Sequence, residues 1–96
     1  AKTALTAPPE AASDDMPAFA PDGRTVCFLR SFGTIWQEVF IVDAGGGGEA
    51  SQLTFDKTRI RGAAFAPGGE IVFASQRGNN QWNLWQISAA GGGEEP

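Results

Sequence analysis

Phe19-Ala20-Pro21-Asp22-Gly23-Arg24-Thr25-Val26-Cys27-Phe28 decides the reading of this chain, because the chain carries it twice. Phe65-Ala66-Pro67-Gly68-Gly69-Glu70-Ile71-Val72-Phe73 returns 46 positions later (from 19 to 65), with one residue fewer before its second phenylalanine. Pro-Asp-Gly and Pro-Gly-Gly between apolar runs are tight corners. Proline presets φ at the first corner position, and glycine accepts the positive φ that closes the turn. Each copy therefore reads as strand, corner, strand, and the chain as a modular β protein.

Working outward, residues 17–20 lead into the first corner as a short strand, and residues 25–30 leave it as another. In the second of these Val26 and Phe28 lie on one face, Cys27 and Leu29 on the other. Both faces are apolar, so the strand should be covered on both sides. Upstream, residues 2–6 form a short strand-like piece, and residues 7–15 are a proline-rich polar loop. Downstream come a loop at 31–34, a third strand at 36–43, a glycine-rich hairpin connection at 44–49 and a fourth strand at 51–54. The cycle restarts with strands at 63–66, 71–75 and 82–88 and a connection at 91–93. The chain reaches Pro96 where another fourth strand is expected to begin. No stretch shows helical periodicity, so the expectation is all-β.

Four strands per unit at a period in the forties is the pattern of a propeller blade. The residues also resemble one family, the TolB-like propeller repeats, WD-repeat-like units with a Pro-Asp-Gly core. Phe19 to Gly23, Phe28, Phe40-Ile41-Val42-Asp43-Ala44, Gly47-Gly48-Glu49 and Leu53-Thr54 carry the likeness in the first unit. Phe65 to Gly69, Phe73-Ala74-Ser75, Trp85 and Gly92-Gly93-Glu94 carry it in the second. Two departures stand out: Gly68 where the family has Asp, and Ser88 where the first unit has Asp43. The resemblance implies four-stranded antiparallel blades and a ring that is typically six-bladed.

The organisation expected from this register has three parts. Residues 1–6 supply an outer strand to a neighbouring blade, 7–54 form the first blade, and 55–96 form the second without its outer strand. Two blades cannot close a ring within one chain. Leu5 and Thr6 are therefore expected to complete the blade that residues 82–88 begin in the next chain, giving a homotrimer, with a tetramer of eight blades as runner-up. Val26, Phe28, Val72 and Phe73 are expected between the sheets.

Composition bounds the function. The 96 residues carry a net charge of −4, which argues against sequence-independent binding to nucleic acid or an anionic membrane. No apolar run is long enough to insert in a membrane as a helix, and the amino end has no apolar core of a signal peptide. The chain begins at Ala1, as a processed, excised or engineered piece would. Cys27 is the single cysteine and reads as a small buried hydrophobe. It fixes no redox compartment.

The motifs that could carry chemistry have plainer explanations. The glycine runs lack a following Lys-Ser/Thr and open no helix, so they make no phosphate cradle. Without histidine, neither a zinc site nor a Ser-His-Asp triad can be assembled. Asp14-Asp15 and Glu94-Glu95 are neighbours in extended chain and point apart, unlike the facing pair that acid/base catalysis uses. No cofactor or metal is expected. Trp85 aligns with Phe40 and should pack between blades, leaving Trp36 and Trp82 as recognition candidates.

In a propeller, the entry to each first strand and the loop between the second and third strands share one face around the channel mouth. That face is expected to gather Asp14, Asp15, Arg30, Phe32, Trp36, Arg59, Arg61, Arg77, Asn79, Asn80 and Trp82. Asp15 and Arg61 stand 46 positions apart, at equivalent places, so acid and base would alternate around the axis as an ion-pair ring or as a polar docking surface. The reading is a non-enzymatic unit that self-associates into a closed propeller, a scaffold or protein-interaction module that docks another protein at the channel mouth. Its alternatives are an engineered or reconstructed fragment with no selected ligand, and an accessory propeller of a hydrolase. The resemblance alone implies protein-interaction platforms, often periplasmic; the residues leave localisation open.

Overall fold

Both corners close as their residues dictate, and the residue missing from the second can be seen. At the first, the Ala20 N–H donates to the Thr25 carbonyl at 2.8 Å and the Gly23 N–H to the Ala20 carbonyl at 2.9 Å. At the second, Ala66 reaches Glu70 at 2.7 Å, one residue sooner, while Gly69 donates to Ala66 at 2.9 Å. Gly23 and Gly69 have φ of 72° and 95°, a region that lacks room for most side chains. Asp22 also accepts the Arg24 N–H at 2.9 Å. Gly68 offers the second corner no such carboxylate.

The structure, a computed structural model, describes residues 4–33, 35–46, 48–77, 81–89 and 94–95. Among these residues run eight strands: β1 (Ala12–Phe19), β2 (Thr25–Phe32), β3 (Trp36–Asp43), β4 (Ser51–Gln52), β5 (Ile60–Phe65), β6 (Ile71–Ser75), β7 (Asn83–Ile87) and β8 (Glu94–Glu95). They form two antiparallel sheets, β1-β2-β3-β4 and β5-β6-β7-β8, each in sequence order. The fold is all-β, with no helix among the described residues.

Three expectations need correction. Residues 12–15 belong to β1 rather than to a loop: Ser13 pairs with Ser31, Asp14 with Arg30 and Asp15 with Leu29. Polar composition misled here because the strand answers a cation on its neighbour. Glu94 and Glu95 pair with Ile87 and Gln86, so the second sheet does begin a fourth strand, as short as β4. Finally, residues 4–6 form no strand. The readings placed on residues 1–3, 34, 47, 78–80, 90–93 and 96 lie outside the described residues.

A bulge recurs at one place in both sheets, between Asp15 and Ala18 and between Arg61 and Ala63. Gly62 serves the second with φ 76°, whereas Met16 serves the first with φ 55°. A left-handed residue with a side chain costs roughly 1–2 kcal/mol. Met16 is half exposed and forfeits little packing if removed. Met16→Gly should therefore raise stability by about 0.5 kcal/mol once the extra chain entropy of glycine is subtracted. Thermal melting of the two proteins checks this.

The sheets stack in one direction. Pairing of Val26 with Val42 and Phe28 with Phe40 defines a leading face on the first sheet; Cys27, Leu29, Val39 and Ile41 define its trailing face. On the second sheet the equivalent leading residues are Ile71, Phe73, Trp85 and Ile87. That leading face packs on the trailing face of the first sheet, so Cys27, Leu29, Val39 and Leu53 meet Ile60, Ile71, Phe73 and Ile87 in one core. Phe73 is thus between the sheets, as expected, and Trp85 packs at the edge of this core. Val26 and Phe28 are buried, but on the far side of the first sheet, in a second cluster with Phe40 and Val42. Val72 is half-buried on the outward face of the second sheet. Strand alternation alone could not say on which side the neighbouring sheet would sit.

Candidate functional site

The start of each first strand and the loop between the second and third strands meet at one end of each sheet. The Gly33 N–H donates to the Ala11 carbonyl and the Gln76 N–H to the Arg59 carbonyl, both at 3.2 Å. Between the sheets at this end lies a cleft of about 410 Å³, lined by Asp15, Ser31, Gln37, Arg59, Arg61 and Trp82 among others. Gln37 ties it together. Its N–H donates to the Thr58 carbonyl at 3.1 Å, and its Oε1 accepts the Ile60 N–H at 2.9 Å. The Arg61 guanidinium lies over the Trp82 ring, 4.2 Å from its centroid. Asp15 and Arg61 line the same cleft, yet no ion pair joins them. Arg59 lines the cleft beside them.

The remaining candidates go elsewhere. Asp14 and Arg30 face outward on the leading side of the first sheet, joined through Nε–Oδ1 at 2.7 Å and Nη2–Oδ2 at 3.1 Å. Arg30 is buried and lies 4.4 Å from the Phe40 ring centroid. Phe32 stacks on Trp36 at 5.8 Å, and the Lys57 ammonium sits 5.8 Å from the Trp36 ring. Burial pushes the Asp14 carboxyl upward, but the hydrogen bonds and the charge of Arg30 outweigh it and hold it below 3.8. Arg77 pairs with Asp56 and lies 5.0 Å from the Trp85 ring centroid. Asn79 and Asn80 lie outside the described residues. Leu5 and Thr6 rest on the leading face of their own first sheet, where they line a gap with Asp14, Val26 and Phe28.

One residue was missed. Glu38 is buried, with 1% of its surface exposed, and sits at the junction of the two sheets. Its Oε1 accepts the Thr54 hydroxyl at 2.6 Å and its Oε2 the Lys57 N–H at 2.8 Å. Thr54 in turn accepts the Val39 N–H at 2.9 Å. The signal available was a polar Gln37-Glu38 pair inside an otherwise apolar strand, but its partners lie 16 and 19 residues away.

Desolvation raises the Glu38 carboxyl above 4.5 despite those donors. Because the folded value exceeds the unfolded one, its stabilising contribution is complete below 4.5 and is lost as pH rises through the raised value. Asp14 acts oppositely: its contribution is present above 3.8 and is lost as pH falls through its lowered value. Melting temperature should thus rise on mild acidification and fall on stronger acidification. Glu38→Gln should abolish the rise and leave the fall. A Glu38→Gln profile that still climbs toward 4.5 would place the titration elsewhere.

No family model and no curated relative matches the chain. Among solved structures it is similar to "putative TolB from Agrobacterium tumefaciens", with a TM-score of 0.71 and 23% sequence identity over 86% of this chain. The chain spans 29% of that structure's length. The fold is that of β-propeller blades. Each sheet is one blade, and the directional stacking of leading on trailing face is how successive blades follow one another.

Proposed function

We propose that the chain is a non-enzymatic propeller unit that self-associates into a closed ring and serves as a scaffold for another protein. The observation supporting this is the trailing face of the second blade, which no sheet covers among the described residues. Stacked-repeat proteins end in polar caps, but Val72, Ala74 and Leu84 stand here at the positions of Cys27, Leu29 and Val39. The cross-strand pair Leu29–Val39 becomes Ala74–Leu84, its large and small members exchanged and its apolar character kept. Leu84 is 67% exposed, whereas its counterpart Val39 is completely buried. On the two central strands Gln86 in place of Ile41 is the polar departure, and Arg61, paired with Ala74, shares this face at one end. A second copy supplies a leading face of the kind that already covers the equivalent trailing face inside the chain.

Identical directional contacts close into rings when the rotation allows it. Six blades at two per chain make a homotrimer, with four chains as the runner-up. The ring's mouth then gathers the clefts, whose Arg59, Arg61 and Trp82 suit an acidic, aromatic-bearing segment of a protein partner. Light scattering should find three times the chain mass at micromolar concentration. Leu84→Glu should return the chain to monomer without changing its melting profile, because Leu84 is exposed within one chain. A wild-type chain that stays monomeric at every accessible concentration overturns this reading.

A further inference from the structure

The leading face of the first blade has no sheet over it, yet Val26, Phe28, Phe40 and Val42 are each 5% exposed or less. Part of what lies over them is residues 4–7. Leu5 approaches the β3–β4 turn closely enough that a Cβ on Gly46 would sit 3.4 Å from its Cδ2. The fit is loose. Leu5 remains 37% exposed, and Leu5 and Thr6 wall a gap of about 180 Å³ with Val26, Phe28 and Val42. A second opening of about 530 Å³ flanks the segment near Arg30 and Ala50.

From this placement we infer that residues 4–7 are an autoinhibitory latch: they occupy the face that a second copy's trailing face would cover, and must leave before that copy docks. The inference rests on the self-association proposed above and assigns its regulation. It also reverses the role expected for Leu5 and Thr6. They compete with a neighbouring blade for a face instead of completing that blade's edge. The closed segment is held chiefly by a leucine that stays 37% exposed, and the Asp14 carboxylate beside it is already satisfied by Arg30, so the segment can open without unfolding the blade. When only a fraction f of chains is competent to dock, the association constant is multiplied by f. A latch closed about nine-tenths of the time weakens association about tenfold.

The test measures association constants by sedimentation equilibrium for the wild type, for Leu5→Ala/Thr6→Ala and for the chain lacking residues 1–6. Both altered chains should associate about tenfold more tightly. A synthetic peptide of residues 1–10, added in excess to the truncated chain, should reverse the gain. The full-length double variant keeps the test open if the truncated chain aggregates. Equal constants for wild type and variants overturn the latch while leaving self-association standing. Weaker association of both variants overturns it in favour of strand donation. If neither wild type nor variants associate, the underlying reading falls, and the latch with it.

Discussion

Phe73→Ala is expected to remove about 3–5 kcal/mol of stability, the usual loss when a large aromatic leaves a packed core. Phe73 is 1% exposed and central to the one cluster that both sheets share. A domain of this size holds roughly 5–15 kcal/mol in all, so the variant should be at the margin of folding. The effect should also be cooperative, because the lost side chain couples two units rather than stabilising one. Urea unfolding followed by tryptophan fluorescence measures it, with Trp36 in the first blade and Trp82 and Trp85 in the second. A loss below 1 kcal/mol, or two separate transitions in the wild type, would show that the blades are not held through this core.

Arg30→Ala should cost about 3 kcal/mol, for a different reason. Breaking a buried ion pair leaves the surviving charge without compensation, and this is dearer than never having built the pair. The side chains of Arg30 and Asp14 are 10% and 11% exposed, which places the loss at the lower end of the range for such pairs. Stacking on Phe40 is lost as well. The diagnostic comparison is the double variant Arg30→Met/Asp14→Leu, which removes both charges and keeps their volume. It should recover most of the loss. Independent, additive costs for the two positions in a double-mutant cycle would mean that the pair is not energetically coupled.

How far the sequence reached depended on whether the information was local. The corners were fully legible, since Pro, Asp and Gly specify a turn by their own φ preferences, and the one-residue deletion at the second corner appears as a shortened loop. The repeat also placed Asp15, Arg59, Arg61 and Trp82 at one end, and the structure brings these four into one cleft. What could not be read was which side of a two-faced apolar strand its neighbour would take. That single ambiguity accounts for Val26 and Phe28, which lie on the far face of their sheet, and for Asp14, Arg30, Phe32 and Trp36, which share the cleft's end of the sheet but not its lining. Glu38 escaped because its role lies in the segment linking the sheets, where Thr54 and Lys57 acquire meaning only when the chain turns back. The run Ser13-Asp14-Asp15 reads as a loop by composition, which cannot see the arginine across the ladder.

The tie made by Gln37 and Glu38 has a consequence for how such units would behave mechanically. Within the chain, the linker between blades is bonded to both residues, through Thr58 and Ile60 on one side and Thr54 and Lys57 on the other. Their equivalents on the second blade are Trp82 and Asn83, which bring no carboxylate to such a tie. A ring of these chains would therefore alternate stiff and compliant joints. Its symmetry would follow the number of chains rather than the number of blades, and strain would concentrate at every second seam. Thermal breathing and the entry of an additional copy would both begin there, while the angle set inside each chain stays fixed.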